Sequence, residues 1–199
     1  MRYPCLNMFF IRKFSIPFSP VYVAFVSVFL LFSDVSHGFA ENQKLDGLFS
    51  QLQDEEESNI ETIEQEIWSE WRKSGSRAVD FLLQRGMKAM NEGRLRLAIK
   101  HFTTVTEQAP EFAEGYNMRA TAYFMMREFG LSVADIETTL QLEPRHFGAM
   151  SGLGMILEQT GRPKQALSIY QKVLEVHPKS PQAQAAQERL KAQTEGTAL

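Results

Sequence analysis

Residues Phe147 to Ser180 read FGAMSGLGMILEQTGRPKQALSIYQKVLEVHPKS and carry small residues in the middle of two apolar-periodic runs. Gly154 and Ala166 flank Gly161, Tyr170 follows Ala166 by one turn, and Pro178 closes the stretch. Two runs of helical period separated by a turn glycine, with a closing residue that lacks an N–H, predict a helical hairpin. The same arrangement returns every 34 residues: Pro110, Pro144 and Pro178; Ala98, Ser132 and Ala166; Phe102, Ile136 and Tyr170; Val105, Thr139 and Val173. Upstream columns agree, with Gly86, Ala120 and Gly154, then Leu82, Tyr116 and Met150. Tyr123 and Leu157 keep bulk in a column where the first unit has Ala89, and Arg127 stands where the outer units have Gly93 and Gly161. Small residues let two antiparallel helices approach, and large ones a turn away fill the neighbouring unit, so the period predicts stacked hairpins.

A stack needs covered ends. Ser180-Pro181 predicts an N-cap and first-turn proline opening a terminal helix that docks through Ala185 and Leu190. Before the repeats, Leu45, Leu48, Phe49 and Leu52 form one helical stripe. Ser58-x-x-Glu61 reads as a capping box for a second helix bearing Ile60, Ile63, Ile67, Trp68 and Trp71, stopped at Gly75. This pair is expected to be an N-terminal cap rather than a fourth repeat, because its small position would be Glu64. Residues 41–75 carry a net charge of −7 and 76–199 of +2, and Glu61, Glu64, Glu66 and Glu70 read as an outward polar face opposite the tryptophans.

The 199-residue chain, 44% apolar and 23% charged, has room for a single domain with an appendage, and one cysteine excludes a disulfide framework. A formal charge of −3 offers no basic field for nucleic acid. Residues 1–40 differ sharply from the rest. They hold eight of the fifteen phenylalanines, a basic start at Arg2, Arg12 and Lys13, an apolar run from Val21 to Phe32, and Gly38 and Ala40 for a peptidase. That order predicts a signal peptide cleaved after Ala40, with Cys5 leaving in it and a mature chain of charge −5. The product is then exported, to the periplasm if the source is a Gram-negative bacterium. The alternative keeps the uncharged stretch 14–33 as an inner-membrane anchor facing the periplasm, although only twelve of its residues are strongly apolar against about 20 for a span.

Chemistry-bearing motifs are sparse. His101, His146 and His177 have no ligand-spaced companions and read as surface residues, so neither metal nor cofactor is expected. Gly152-x-Gly154 lies within a helix and reads as close packing, and no nucleophile or phosphate-loop motif is present. A small enzyme or ligand-binding bundle is the weaker reading.

The columns over residues 79–178 resemble the tetratricopeptide repeat, most closely at Leu153-Gly154, Leu157, Gly161, Ala166, Tyr170 and Pro178. The resemblance implies an all-α, short right-handed α-solenoid of three hairpins, residues 79–112, 113–146 and 147–180. Around it stand the acidic hairpin or cap at 41–76, a C-terminal capping helix at 181–194 and a flexible tail at 195–199. It also implies a concave face built by the first helix of each unit: Leu83, Met87, Met90 and Asn91, then Asn117, Met118, Thr121, Phe124 and Met125, then Ser151, Met155 and Gln159. Met87 and Met118 occupy places where repeats that clasp acidic chaperone tails have asparagine, and Gly148, Ser151 and Gly152 stand where those have cations. The expected function is a non-catalytic scaffold that binds a protein or peptide through a methionine-rich groove, with no nucleic-acid partner and membrane contact only through an uncleaved leader. In the anchored alternative, the repeats recruit a partner to an envelope, secretion or division complex.

Overall fold

The computed structural model describes residues 43–54 and 59–196. Helix α1 spans 43–53; α2 (Ile60–Trp71), α3 (Arg77–Asn91), α4 (Leu95–Gln108), α5 (Ala113–Met125), α6 (Phe129–Leu142), α7 (Phe147–Gln159), α8 (Pro163–Val176) and α9 (Pro181–Gly196) follow. The fold is all-α, and among the described residues there is no strand. The leader with its cut after Ala40, Ser58 of the expected capping box and tail residues 197–199 lie outside the described residues. The N-cap of α2 is Asn59, one residue later than expected, and α9 extends through 195 and 196.

The period appears directly in the helix starts: α4, α6 and α8 begin at 95, 129 and 163, and α5, α7 and α9 at 113, 147 and 181. Helix α3 begins at Arg77, two residues ahead of the expected 79. Asp80 Oδ1 accepts from the Ser74 N–H at 2.8 Å and from its hydroxyl at 2.6 Å, which closes the turn and leaves Ser76 extended as the N-cap. The first helices, α3, α5 and α7, neighbour one another in an inner layer, and α4, α6 and α8 pack behind them. The small-residue columns set that approach. A Cβ on Gly86 would overlap the Phe102 ring, and one on Gly154 would lie 2.7 Å from Tyr170 Cζ. In the middle unit Ser132 Oγ donates to the Ala120 carbonyl at 2.8 Å, tying α6 to α5 where the outer units use ring contacts.

All three hairpin turns use a left-handed residue: Gly93 at φ 72°, Arg127 at 61° and Gly161 at 72°. Arginine there has a Cβ that crowds the following carbonyl, against which its guanidinium gains only a position 5.3 Å over the Phe129 ring. Arg127→Gly is expected to raise unfolding free energy by about 0.5–1 kcal/mol in chemical denaturation.

The acidic hairpin does not cap the first repeat. Its stripe, Leu45, Leu48, Phe49, Leu52, Ile63, Ile67 and Trp71, joins one core with Phe147, Met150, Tyr170 and Leu190. Arg145 pins α1 to this end of the stack, with Nη1 2.7 Å from Asp46 and its guanidinium 4.4 Å over Phe49. Gly148 leaves the space that Trp68 fills, since any Cβ there would overlap the indole. Glu70 does not face outward. It is buried and bridges Lys44 at 2.5 Å and Lys73 at 2.7 Å; desolvation opposes its charge, but the two ammonium groups outweigh it and its pKa stays below the usual carboxylate value. Helix α9 closes this same end through Ala183, Ala186 and Leu190, while Ala185 faces solvent, because the docking face follows i, i+3 and i+7 from Ala183.

Candidate functional site

Two of the three histidines read as surface residues are buried. His146 is fully enclosed as the N-cap of α7. Its Nδ1 accepts from the Ala149 N–H at 3.1 Å, so the ring proton sits on Nε2, which donates to Glu114 Oε2 at 3.1 Å. The same carboxylate oxygen accepts from Asn117 Nδ2 at 2.8 Å. Trp71 stacks on the His146 ring at 4.0 Å with a 9° interplanar angle. His177, 2% exposed, caps α8 beside Phe147 at 5.2 Å. Burial holds its pKa below the usual imidazole value, against the pull of Glu64, whose Oε2 lies 3.6 Å from Nε2. These rings are hidden because α2 folds over them, a contact across more than seventy residues that no local spacing announces. Among the described residues no three His, Cys, Asp or Glu side chains are grouped to hold a metal, and no helix is long and apolar enough to cross a membrane.

The expected groove is only partly open. Leu83 is 1% exposed and belongs to the core of the first hairpin, and Met87, Met90 and Met118 are half-buried against that same core. The thioethers therefore spend part of their surface on the core that contains Phe102 and Phe112. Asn117 is committed to Glu114, and Ser151 is buried with Oγ donating to the Phe147 carbonyl at 2.8 Å. Asn91, Gln159 and Met125 are exposed at the ends of α3, α7 and α5.

What remains accessible is a cleft of about 80 Å³ between α5 and α7. Thr121, Phe124 and Asn117 form one wall; Gly148, Gly152 and Met155 form the other; Ala120, Ser132, Ile136 and Ala149 make the floor. Thr121 Oγ1 is spent on the Asn117 carbonyl at 2.9 Å, and Phe124 is braced by Phe129 at 5.8 Å. No lysine or arginine lines this cleft. Its volume is well below the roughly 300–1,000 Å³ of small-molecule sites and suits a single apolar side chain. Ala120, Ser132 and Ile136 of the floor were visible as repeat columns but not as a site, because the opening is made by Gly152, which contributes no side chain.

The neighbouring polar groups are already paired. Glu158 accepts from the Tyr170 hydroxyl at 2.9 Å and from both Arg189 nitrogens; Arg189 holds its pKa down, while burial and Glu158 push that of Tyr170 up. Arg119 bonds Asp135 through Nε and Nη2, each at 2.7 Å, and its pKa is raised chiefly by that carboxylate.

A TPR repeat-containing protein of Rhizobium etli is 38% identical over 143 residues, which cover 71% of this chain and 70% of that one. The chain belongs to the tetratricopeptide repeat family. Residues 133–190 also match the family profile described as Tetratricopeptide repeat. Among solved structures, the Sgt2 TPR domain from Aspergillus fumigatus superposes with a TM-score of 0.57 at 24% identity, covering 61% of this chain and 82% of that domain. The first TPR of Spaghetti (RPAP3), bound to an HSP90 peptide, gives 0.56 at 22% identity, over 58% of this chain and 92% of that one. At these identities the two structures support the fold.

Proposed function

We propose that this tetratricopeptide repeat chain is a non-catalytic scaffold that seats an apolar side chain of a partner polypeptide in the α5–α7 cleft. The observation that carries the reading is the bare position Gly152 opposite half-buried Thr121 and Phe124, where a Cβ would meet only Ile136. It leaves a side-chain-sized recess on the inner layer, and the apolar lining without cations favours an internal segment over a charged terminus. The RPAP3 domain bound to an HSP90 peptide is a precedent for peptide capture by such a stack, not for the same ligand. Export follows in this reading from the basic start, apolar run and small residues of 1–40; retention of the uncharged stretch 14–33 gives an anchored form of the same scaffold. Sizing the chain after expression separates the two by about forty residues.

Gly152→Leu tests the cleft. A Cβ at this position meets only Ile136 Cδ1 at 3.6 Å, an ordinary contact, and leucine is the better helix former. Stability is expected to change by less than about 1 kcal/mol. A photo-crosslinker at Thr121 should form polypeptide adducts in the parent protein and lose them in the variant, while one at exposed Leu131 should be unaffected. Adducts that persist with the cleft filled would refute the reading.

A further inference from the structure

A second surface, separate from the cleft, follows from the register of the stack. In the third repeat, Leu153 and Ile156 share a core with Val133, Ile136 and Leu140 of the preceding α6, and Ile169 borders the depression beside them with Val133 and Glu137, so these positions meet the earlier hairpin. In the middle repeat the corresponding Arg119 reaches back to Thr106 of α4 at 2.9 Å and pairs with Asp135. Two periods before the third repeat, the same positions are Arg85, Lys88 and His101. Nothing among the described residues is stacked on them, because the hairpin that precedes α3 in sequence docks on the third repeat. Instead they line a cleft of about 370 Å³ between α3 and α4, together with Leu97 and Phe81, whose ring is 57% exposed.

Charge identifies what fits this face. The middle repeat supplies Asp135 to its arginine, whereas the first repeat has His101 in that place. Among the described residues no carboxylate pairs with Arg85, whose guanidinium lies 5.8 Å over the Phe81 ring, or with Lys88. Burial first, then the fields of Arg85, Lys100 and Arg94, hold the His101 pKa below its usual value, and of the cations lining the cleft Arg94 is paired with Glu92. A second copy presenting the same face would set like charges together.

We propose that this open stacking face docks an acidic amphipathic α-helix of a partner protein, with carboxylates one turn apart meeting Arg85 and Lys88 and an apolar side chain covering Phe81 and Leu97. A helix is the occupant because α5 and α7 receive helices at the equivalent positions.

The test uses the full chain and a fluorescent synthetic helix with glutamates one turn apart beside leucines, both ends blocked. Binding should strengthen at low salt and weaken about tenfold or more in the double variant Arg85→Glu with Lys88→Glu. A peptide carrying lysines for the glutamates should restore it. Hydrogen exchange should slow in α3 and α4 with bound peptide and stay unchanged in α5 and α7. Absence of binding, protection in α5 and α7, or failure of the charge-swapped peptide would each overturn the proposal. So would self-association of the parent chain that disappears in the double variant, since the occupant would then be a second copy. Loss of the cleft adducts in Gly152→Leu leaves this test unaffected, so the two surfaces fail or stand separately.

Discussion

Trp71→Ala is expected to loosen the α1–α2 hairpin from the third repeat, at a cost of about 3–5 kcal/mol for removing a buried indole. Trp71 is 6% exposed and meets Phe49 at 6.0 Å, Trp68 at 5.2 Å and Phe147 at 4.9 Å, besides its stack on His146. The void would open between the α1–α2 hairpin and α7, which is distant from it in sequence. Because each unit of a stack is held mainly by its neighbours, the loss should be local. Amides of α1 and α2 should exchange faster by the corresponding factor, and those of α3 and α4 should hardly change. Trp71→Phe should cost much less: it keeps most of the ring contact and removes an indole N–H that is buried without a hydrogen-bond partner among the described residues. If exchange in α3 and α4 rises first, the hairpin supports the opposite end of the stack from the one described here.

The contrast between what repeats and what does not explains how far the sequence could be read. Gly86 with Phe102 and Gly154 with Tyr170 are local pairs, one hairpin apart, and their spacing alone disclosed both helices and their contact. Helix starts at 95, 129 and 163 followed from the same columns. The hairpin's berth did not, because Trp68 on Gly148 and Trp71 on His146 occur once and obey no period. Glu70 was misassigned for a related reason: its helix positions look solvent-facing until Lys44 arrives from α1. Methionines on the inner helices were ambiguous in principle. A stripe at helical spacing can face a groove or a core, and Met87, Met90 and Met118 are half-buried against the core of the first hairpin.

Glu114→Ala is expected to cost about 2–4 kcal/mol, because it leaves two buried donors without an acceptor. Glu114 is 1% exposed, and its Oε2 receives both the Asn117 amide at 2.8 Å and the His146 ring N–H at 3.1 Å. His146 in turn caps α7 through the Ala149 N–H and carries Trp71 on its face, so one carboxylate links α5, α7 and the α1–α2 hairpin. Phe112 occupies the N-cap position one period earlier, which shows that a ring without hydrogen-bonding atoms fits this register. His146→Phe alone should therefore lose the cap and leave the carboxylate one donor short, yet keep the stack under Trp71. Combined with Glu114→Ala it should cost clearly less than the sum of the single changes, by about 1–2 kcal/mol, since the second change removes one of the groups that the first leaves unpaired. Urea denaturation of the two single variants and the double variant measures this coupling. Strict additivity would mean that His146 and Glu114 are neighbours without a shared bond, and the path from the cleft wall at Asn117 to the docked hairpin would not exist.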